Sequence, residues 1–197
     1  LNEAMRLLQE GIASSQQRHL PGLTNQYHAL RVKLLQAKGD KTALIDAARA
    51  LWLDRGDEDD FALLKQTVPA AEWTGFVEGL IKAIHRRPEQ LAWLYARENQ
   101  WRDLMTLVQS SPQAAWLIEA YREPLEARFA IEVATRYEKI LDTILVRASG
   151  RSHYRQAVAY LRRIKKIDQS ARTEAISQHI RQQYANRPAL LDELSQL

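Results

Sequence analysis

The chain has 197 residues, 46% of them hydrophobic and 26% charged, with 28 Lys and Arg against 24 Asp and Glu for a net charge of +4, and it contains no cysteine. That length can bury a full core, the balance of apolar and charged residues is globular, and the missing thiols exclude disulfides and thiolate metal sites. No apolar run is long enough to cross a bilayer and no leader pattern opens the chain, so the sequence reads as a soluble, cytoplasmic protein that does not enter a membrane.

Short amphipathic segments, broken at Gly and Pro, follow one another along the chain with apolar residues three and four apart. The chain is already mid-helix at Leu1, Met5, Leu8 and Ile12, which predicts a piece of a longer protein. This first segment runs to about His19, where Pro21 and Gly22 interrupt it. A second carries Leu23, Tyr27, Leu30 and Leu34 and ends at Gly39. Asp40 is placed to cap a third, which buries Leu44, Ala48, Leu51 and Trp52 and stops at Gly56. Asp57 can then accept from the free N–H groups of a helix holding Phe61 and Leu64. After a turn at Pro69, Trp73, Phe76, Val77, Leu80, Ile81 and Ile84 put a broad apolar stripe on one helical face.

Pro88 opens the next segment as a first-turn proline, with Leu91, Leu94 and Tyr95 inward. Asn99 separates it from a partner carrying Trp101, Leu104 and Leu107. Ser111 and Pro112 start a helix around Trp116 and Leu117. Pro124 restarts the chain into what reads as its longest helix, with Phe129, Val133, Tyr137, Ile140, Leu141 and Ile144 on one side, as far as Gly150. Two helices follow, at 151–167 and 171–186, and Pro188 opens a terminal piece with Leu190, Leu191 and Leu194. No strand pair is expected. The recurring unit is a helix, a turn and a helix of roughly 30 to 45 residues, the length class of tetratricopeptide and HEAT-like arrays. The expected fold is therefore all-α, a right-handed α-α solenoid of degenerate hairpins forming one elongated domain over 1–197, because each hairpin packs only on its neighbours.

Residues 147–187 depart from the rest in charge. Arg147, Arg151, Arg155, Arg162, Arg163, Lys165, Lys166, Arg172, Arg181 and Arg187 stand against only Asp168 and Glu174, so this stretch is +8 and the remainder −4. On a helix, Arg151, Arg155, Arg162 and Lys166 share one narrow stripe flanked by Arg163 and Lys165, opposite Tyr154, Ala157, Leu161 and Ile164. Such a face is either simply solvated or a binding surface for nucleic-acid phosphates, an acidic protein or an acidic domain of the same parent chain.

Residues 151–167, Arg-Ser-His-Tyr-Arg-Gln-Ala-Val-Ala-Tyr-Leu-Arg-Arg-Ile-Lys-Lys-Ile, and then Arg187-Pro188-Ala189-Leu190-Leu191-Asp192-Glu193-Leu194, resemble the closing helices of bacterial SWIM zinc-finger proteins. The stretch Leu94-Tyr95-Ala96-Arg97-Glu98-Asn99-Gln100-Trp101 is similar to the helix-turn-helix units of the same family. The resemblance covers roughly residues 90–194 and implies a helical region that follows the finger in such proteins. The finger itself needs clustered Cys and His, and this chain has no Cys, so no zinc ligand is carried over.

Other candidates read as structure. Asp54, Asp57, Glu58, Asp59 and Asp60 lack the glycine and terminal glutamate of an EF-hand loop, and carboxylates at a helix start favour its dipole. His19, His28, His85, His153 and His179 show no ligand spacing, so neither a metal nor another cofactor is expected. Trp52, Trp73, Trp101 and Trp116 sit at apolar helical positions and read as core, while Trp93 is the one whose ring is expected at the surface. No phosphate loop, nucleophile elbow or cysteine nucleophile is present, which argues against an enzyme. The reading is an interaction scaffold for a protein partner or parent-chain domain, with nucleic-acid binding through 147–187 as the alternative.

Overall fold

The computed structural model describes residues 2–112, 114–168 and 171–197. Leu1, one of the residues expected mid-helix, lies outside them. The described residues form thirteen α-helices and no strand. Contacts within the chain gather into two compact units, residues 1–91 and 92–197, with the division falling inside a helix.

The first unit holds α1 (Asn2–Gln17), α2 (Pro21–Lys38), α3 (Lys41–Arg55), α4 (Glu58–Thr67) and α5 (Trp73–Ile84). Helix α6 (Pro88–Arg97) contains the division. Local chemistry sets the ends. Gly39 and Gly56 close α2 and α3 at φ of 74° and 69°, left-handed values that glycine adopts without a Cβ penalty. The residue after each glycine caps the next helix: Asp40 Oδ1 accepts from the Ala43 amide at 3.1 Å, and Asp57 Oδ1 from the Asp59 amide at 2.9 Å. Asp60 does more than complement a dipole, because it is buried and receives Arg55 Nη2 at 2.6 Å. Within the unit, α1 packs on α2, α2 on α3, and α3 on α4 and α5. Its core includes the expected Leu44, Ala48, Leu51, Trp52, Phe61 and Leu64 together with Val32, Leu35, Ala47, Leu80 and Ile84, with Trp52, Phe61, Trp73 and Phe76 in ring contact at centroid separations of 5.5–5.8 Å.

The second unit holds α7 (Trp101–Ser110), α8 (Ala114–Ala120), α9 (Arg122–Arg128), α10 (Ala130–Arg147), α11 (Arg151–Asp168), α12 (Ala171–Gln183) and α13 (Pro188–Leu194). Here α8 packs on α7, α9 and α10, α10 on α9 and α11, and α11 on α12 and α13. The helix expected to run unbroken from Pro124 is two helices. Phe129 leaves helical geometry at φ −137° and ψ 43°, which turns its ring into the core with the Arg102 guanidinium 4.3 Å from its centroid. Among the described residues no helix is longest, since α2, α10 and α11 each have 18 residues. On α10, Tyr137 is fully buried, its hydroxyl donates to Glu126 Oε1 at 2.7 Å, and burial together with that bond raises its pKa.

Candidate functional site

Helix α11 places the basic stripe where the periodicity requires: Tyr154, Ala157, Leu161 and Ile164 are buried, and Arg151, Arg155, Arg162 and Lys166 are exposed opposite them. What the sequence does not reveal is that most of these cations already have partners, chiefly on α13. Arg151 Nη2 donates to Asp192 Oδ2 at 2.9 Å, and Arg155 Nε donates to Glu193 Oε1 at 3.2 Å. Arg162 Nη2 donates to the Gln196 carbonyl at 3.2 Å, Lys165 Nζ to Leu197 O at 3.0 Å, and Arg181 Nη2 to the Leu194 carbonyl at 3.3 Å. Three cations thus collect at the last carbonyl of α13 and the residues just after it, where the helix dipole is negative.

The remaining cations are engaged in the same way. Arg163 points to the Glu119 carboxylate on α8 and lies over the rings of Tyr160 and Tyr137 at 5.2 and 5.8 Å. Arg172 Nη2 reaches Glu138 Oε2 at 2.6 Å, and Arg187 Nη1 donates to the Leu145 carbonyl at 2.8 Å. Arg147 and Lys166 alone of the ten have no partner among the described residues. The face therefore ties helices of its own unit together. The sequence signal for this is visible in retrospect: Asp192 and Glu193 are the only carboxylates after Glu174.

The tryptophans divide differently from expectation. Trp52 is fully buried, Trp73, Trp93 and Trp101 are half-buried, and Trp116 is the exposed one at 49%. Ala114, Leu117 and Ile118 occupy the inward face of α8 and leave no room there for the ring of Trp116.

A second surface, which the sequence reading did not single out, lies on the first unit. Helix α1 closes at His19, whose φ of 53° is left-handed, with the Leu20 amide on the Ser15 carbonyl at 2.9 Å. Pro21 then starts α2 with its pre-set φ. Such a short connection makes the two helices antiparallel neighbours. The hydroxyls of Ser15 and Thr24 lie 2.7 Å apart across the pair, and Gly11 lets the Tyr27 ring approach α1 closely. One turn beyond that crossing in each helix, Leu7 and Leu30 are 54% and 50% exposed, while Leu20 and Leu23 at the elbow are 39% and 36% exposed.

Beside the elbow is a cavity of about 640 Å³ between the end of α1, the start of α2 and Ala50 and Asp54 of α3. Asn25 Oδ1 and His28 Nδ1 on its wall are buried without hydrogen-bond partners. Burial, aided by the nearby Arg31 charge, holds the His28 pKa below its usual range, so the ring is neutral at pH 7. Residues 19–30 contain no Asp, Glu, Lys or Arg, and residues 1–91 balance twelve acidic against twelve basic side chains. The exposed leucines thus lie beside an uncharged segment and a cavity lined largely by polar side chains, Asp54 among them.

No group of three or more His, Cys, Asp and Glu at metal-binding spacing occurs among the described residues, and no helix of theirs is long and apolar enough to cross a membrane. No protein-family model, curated protein or solved structure matches the chain.

Proposed function

We propose that the chain is a non-catalytic helical-repeat scaffold, an α-solenoid of degenerate hairpins, and that it binds a protein partner or another domain of its parent protein through the leucine edge and elbow of α1 and α2. The observation that carries this reading is the exposure of Leu7, Leu20, Leu23 and Leu30 around an uncharged segment and a cavity. Covering such side chains releases about 25 cal/mol for each Å² of apolar surface removed from water. The absence of formal charge from 19–30 selects an occupant with apolar side chains over a phosphate backbone. Packing of α1 on α2, α2 on α3, α3 on α4 and α5, and α11 on α12 and α13, all near one another in sequence, supports the repeat architecture. The resemblance of residues 90–194 to the helical regions of SWIM zinc-finger proteins supports a place in a larger cytoplasmic bacterial protein.

The alternative, a nucleic-acid-binding domain, draws on the +8 charge of 147–187. The hydrogen bonds from Arg151, Arg155, Arg162 and Lys165 to α13 and the residues after it count against it, since a phosphate would have to compete with partners already in place. The two readings separate in parallel affinity captures from nuclease-treated extract, using the unmodified chain, L7S/L23S/L30S, and R151Q/R155Q/R162Q/K166Q. The scaffold reading expects a stoichiometric partner that the leucine variant loses and the arginine variant keeps. Nucleic-acid binding that persists near physiological salt and is lost only in the arginine variant overturns it.

A further inference from the structure

In the second unit, a cleft of about 260 Å³ lies between α8, α10 and α11. Arg136 and Lys139 stand one turn apart on α10 and line both this cleft and a smaller neighbouring one of about 200 Å³. Among the described residues no Asp or Glu lines the larger cleft. In the smaller, Glu132 is taken by Arg102 at 2.9 Å.

Arg136 is not a loose surface cation. Its Nη2 donates to the Ser111 carbonyl at 2.8 Å, which fixes the guanidinium, and its Nε is buried with no acceptor. The Lys139 ammonium has no partner among the described residues. The Thr143 hydroxyl donates to the Lys139 carbonyl at 2.8 Å, so its proton is spent and it offers no donor of its own. Ile140, Ile144, Ala114, Ala115 and Pro112 supply the apolar part of the wall, and Gln156 and Tyr160 of α11 supply the rest. The cleft thus combines a cationic fork with an isoleucine-lined apolar wall and two uncharged polar side chains. At about 30 Å³ per water it displaces on the order of eight or nine waters, which suits a ligand of similar heavy-atom count.

We propose that this cleft binds a carboxylate carried on a short apolar stem, with Arg136 and Lys139 holding the two oxygens and Ile140 and Ile144 covering the stem. Guanidinium and ammonium together match the two oxygens of one carboxylate. A bare phosphate would leave the isoleucine wall wet, and an amine would meet two like charges. The proposal stands on different residues from the leucine edge and survives or fails without it.

The carboxylate can belong to a small free acid or to the C-terminus of a peptide, and one experiment covers both. Backbone amide shifts of the full chain are followed on titration with 3-phenylpropanoate, its primary amide, 3-phenylpropylammonium, inorganic phosphate, and an acetylated peptide ending in leucine with a free or amidated terminus. Saturable shifts at Ala115, Lys139, Ile140 and Gln156 are expected with the free acid, with the free-carboxyl peptide, or with both, and which of them binds more tightly names the source. The amide forms are expected to bind about tenfold more weakly or not at all. K139Q, at an exposed position, is expected to weaken the acid by about the same factor without changing the melting temperature. R136Q is the stronger test where the fold tolerates loss of the bond to Ser111. Equal binding of acid and amide, phosphate binding as tight as the acid, or an unaltered affinity in K139Q overturns the proposal.

Discussion

Replacing Arg151 and Arg155 together by alanine is expected to loosen α13, and the size of the effect follows from the burial of Glu193. The Glu193 side chain is 7% exposed, with Arg155 Nε 3.2 Å and Arg151 Nε 3.7 Å from the same carboxylate oxygen. The two arginines are 67% and 51% exposed, so losing them removes little packing. The Arg151–Asp192 pair is open to water on both sides and is worth about 0.2–1 kcal/mol. The larger loss is a carboxylate left short of donors where water reaches it poorly, about 1–3 kcal/mol. Together these give about 1–4 kcal/mol, which accelerates exchange through local opening by roughly five-fold to a thousand-fold. The assay is amide hydrogen exchange at Ser195, whose N–H donates to the Leu191 carbonyl at 3.1 Å. Adding E193Q removes the stranded charge and is expected to recover at least half of the loss, whereas K166A, at the partnerless end of the stripe, is expected to change nothing beyond about 0.5 kcal/mol. Wild-type exchange in the double variant, or no recovery in the triple, refutes the assignment of this face to holding α13.

Two glycines inside helices are expected to respond oppositely to alanine. At Gly79 a Cβ meets nothing within 4 Å, so G79A is expected to stabilise by about 0.5–1 kcal/mol through helix propensity. At Gly11 it meets the Tyr27 ring at 2.9–3.1 Å, and G11A is expected to fall short of that gain by about 1–3 kcal/mol because the ring must move; equal melting shifts in the two variants contradict the close crossing of α1 and α2. His28 gives a pH signature. Its folded pKa is lowered, by burial first and then by Arg31, so its contribution is complete above the unfolded value of about 6.5 and is lost as pH falls below it, where the unfolded chain takes up the proton and the folded one does not. Between pH 7.5 and 5.5 the wild type is therefore expected to lose more unfolding free energy than H28Q, and identical slopes overturn the half-buried placement.

How much of this was legible in the sequence depends on how local each cause is. Gly39 with Asp40, and Gly56 with Asp57, announce helix ends because a left-handed residue followed by a capping carboxylate acts within a few residues. The stripe of α5 and the inward face of α11 follow from period alone. The break at Phe129 has no Gly or Pro to mark it; the ring's burial beside Arg102 is a tertiary cause. Trp116 read as core because its neighbours Leu117 and Ile118 are, yet a seven-residue helix has one inward face and they fill it. The basic stripe was legible as a stripe, but its partners lie 32 to 41 residues further on, and periodicity within one helix carries no information about them. The leucine edge and the Arg136–Lys139 cleft were missed for the same reason, since exposure and cavities arise only once helices are paired.

The central claim is that α1 and α2 form the surface a partner covers. It is tested most directly by comparing amide hydrogen exchange of the full chain alone and in complex with the partner recovered by affinity capture. The account predicts slowed exchange across residues 4–34, including the amides of Leu7, Leu23 and Leu30, with α11 unchanged. Protection confined to α11 and α12, or a complex that leaves α1 and α2 exchanging as they do in the free chain, contradicts it.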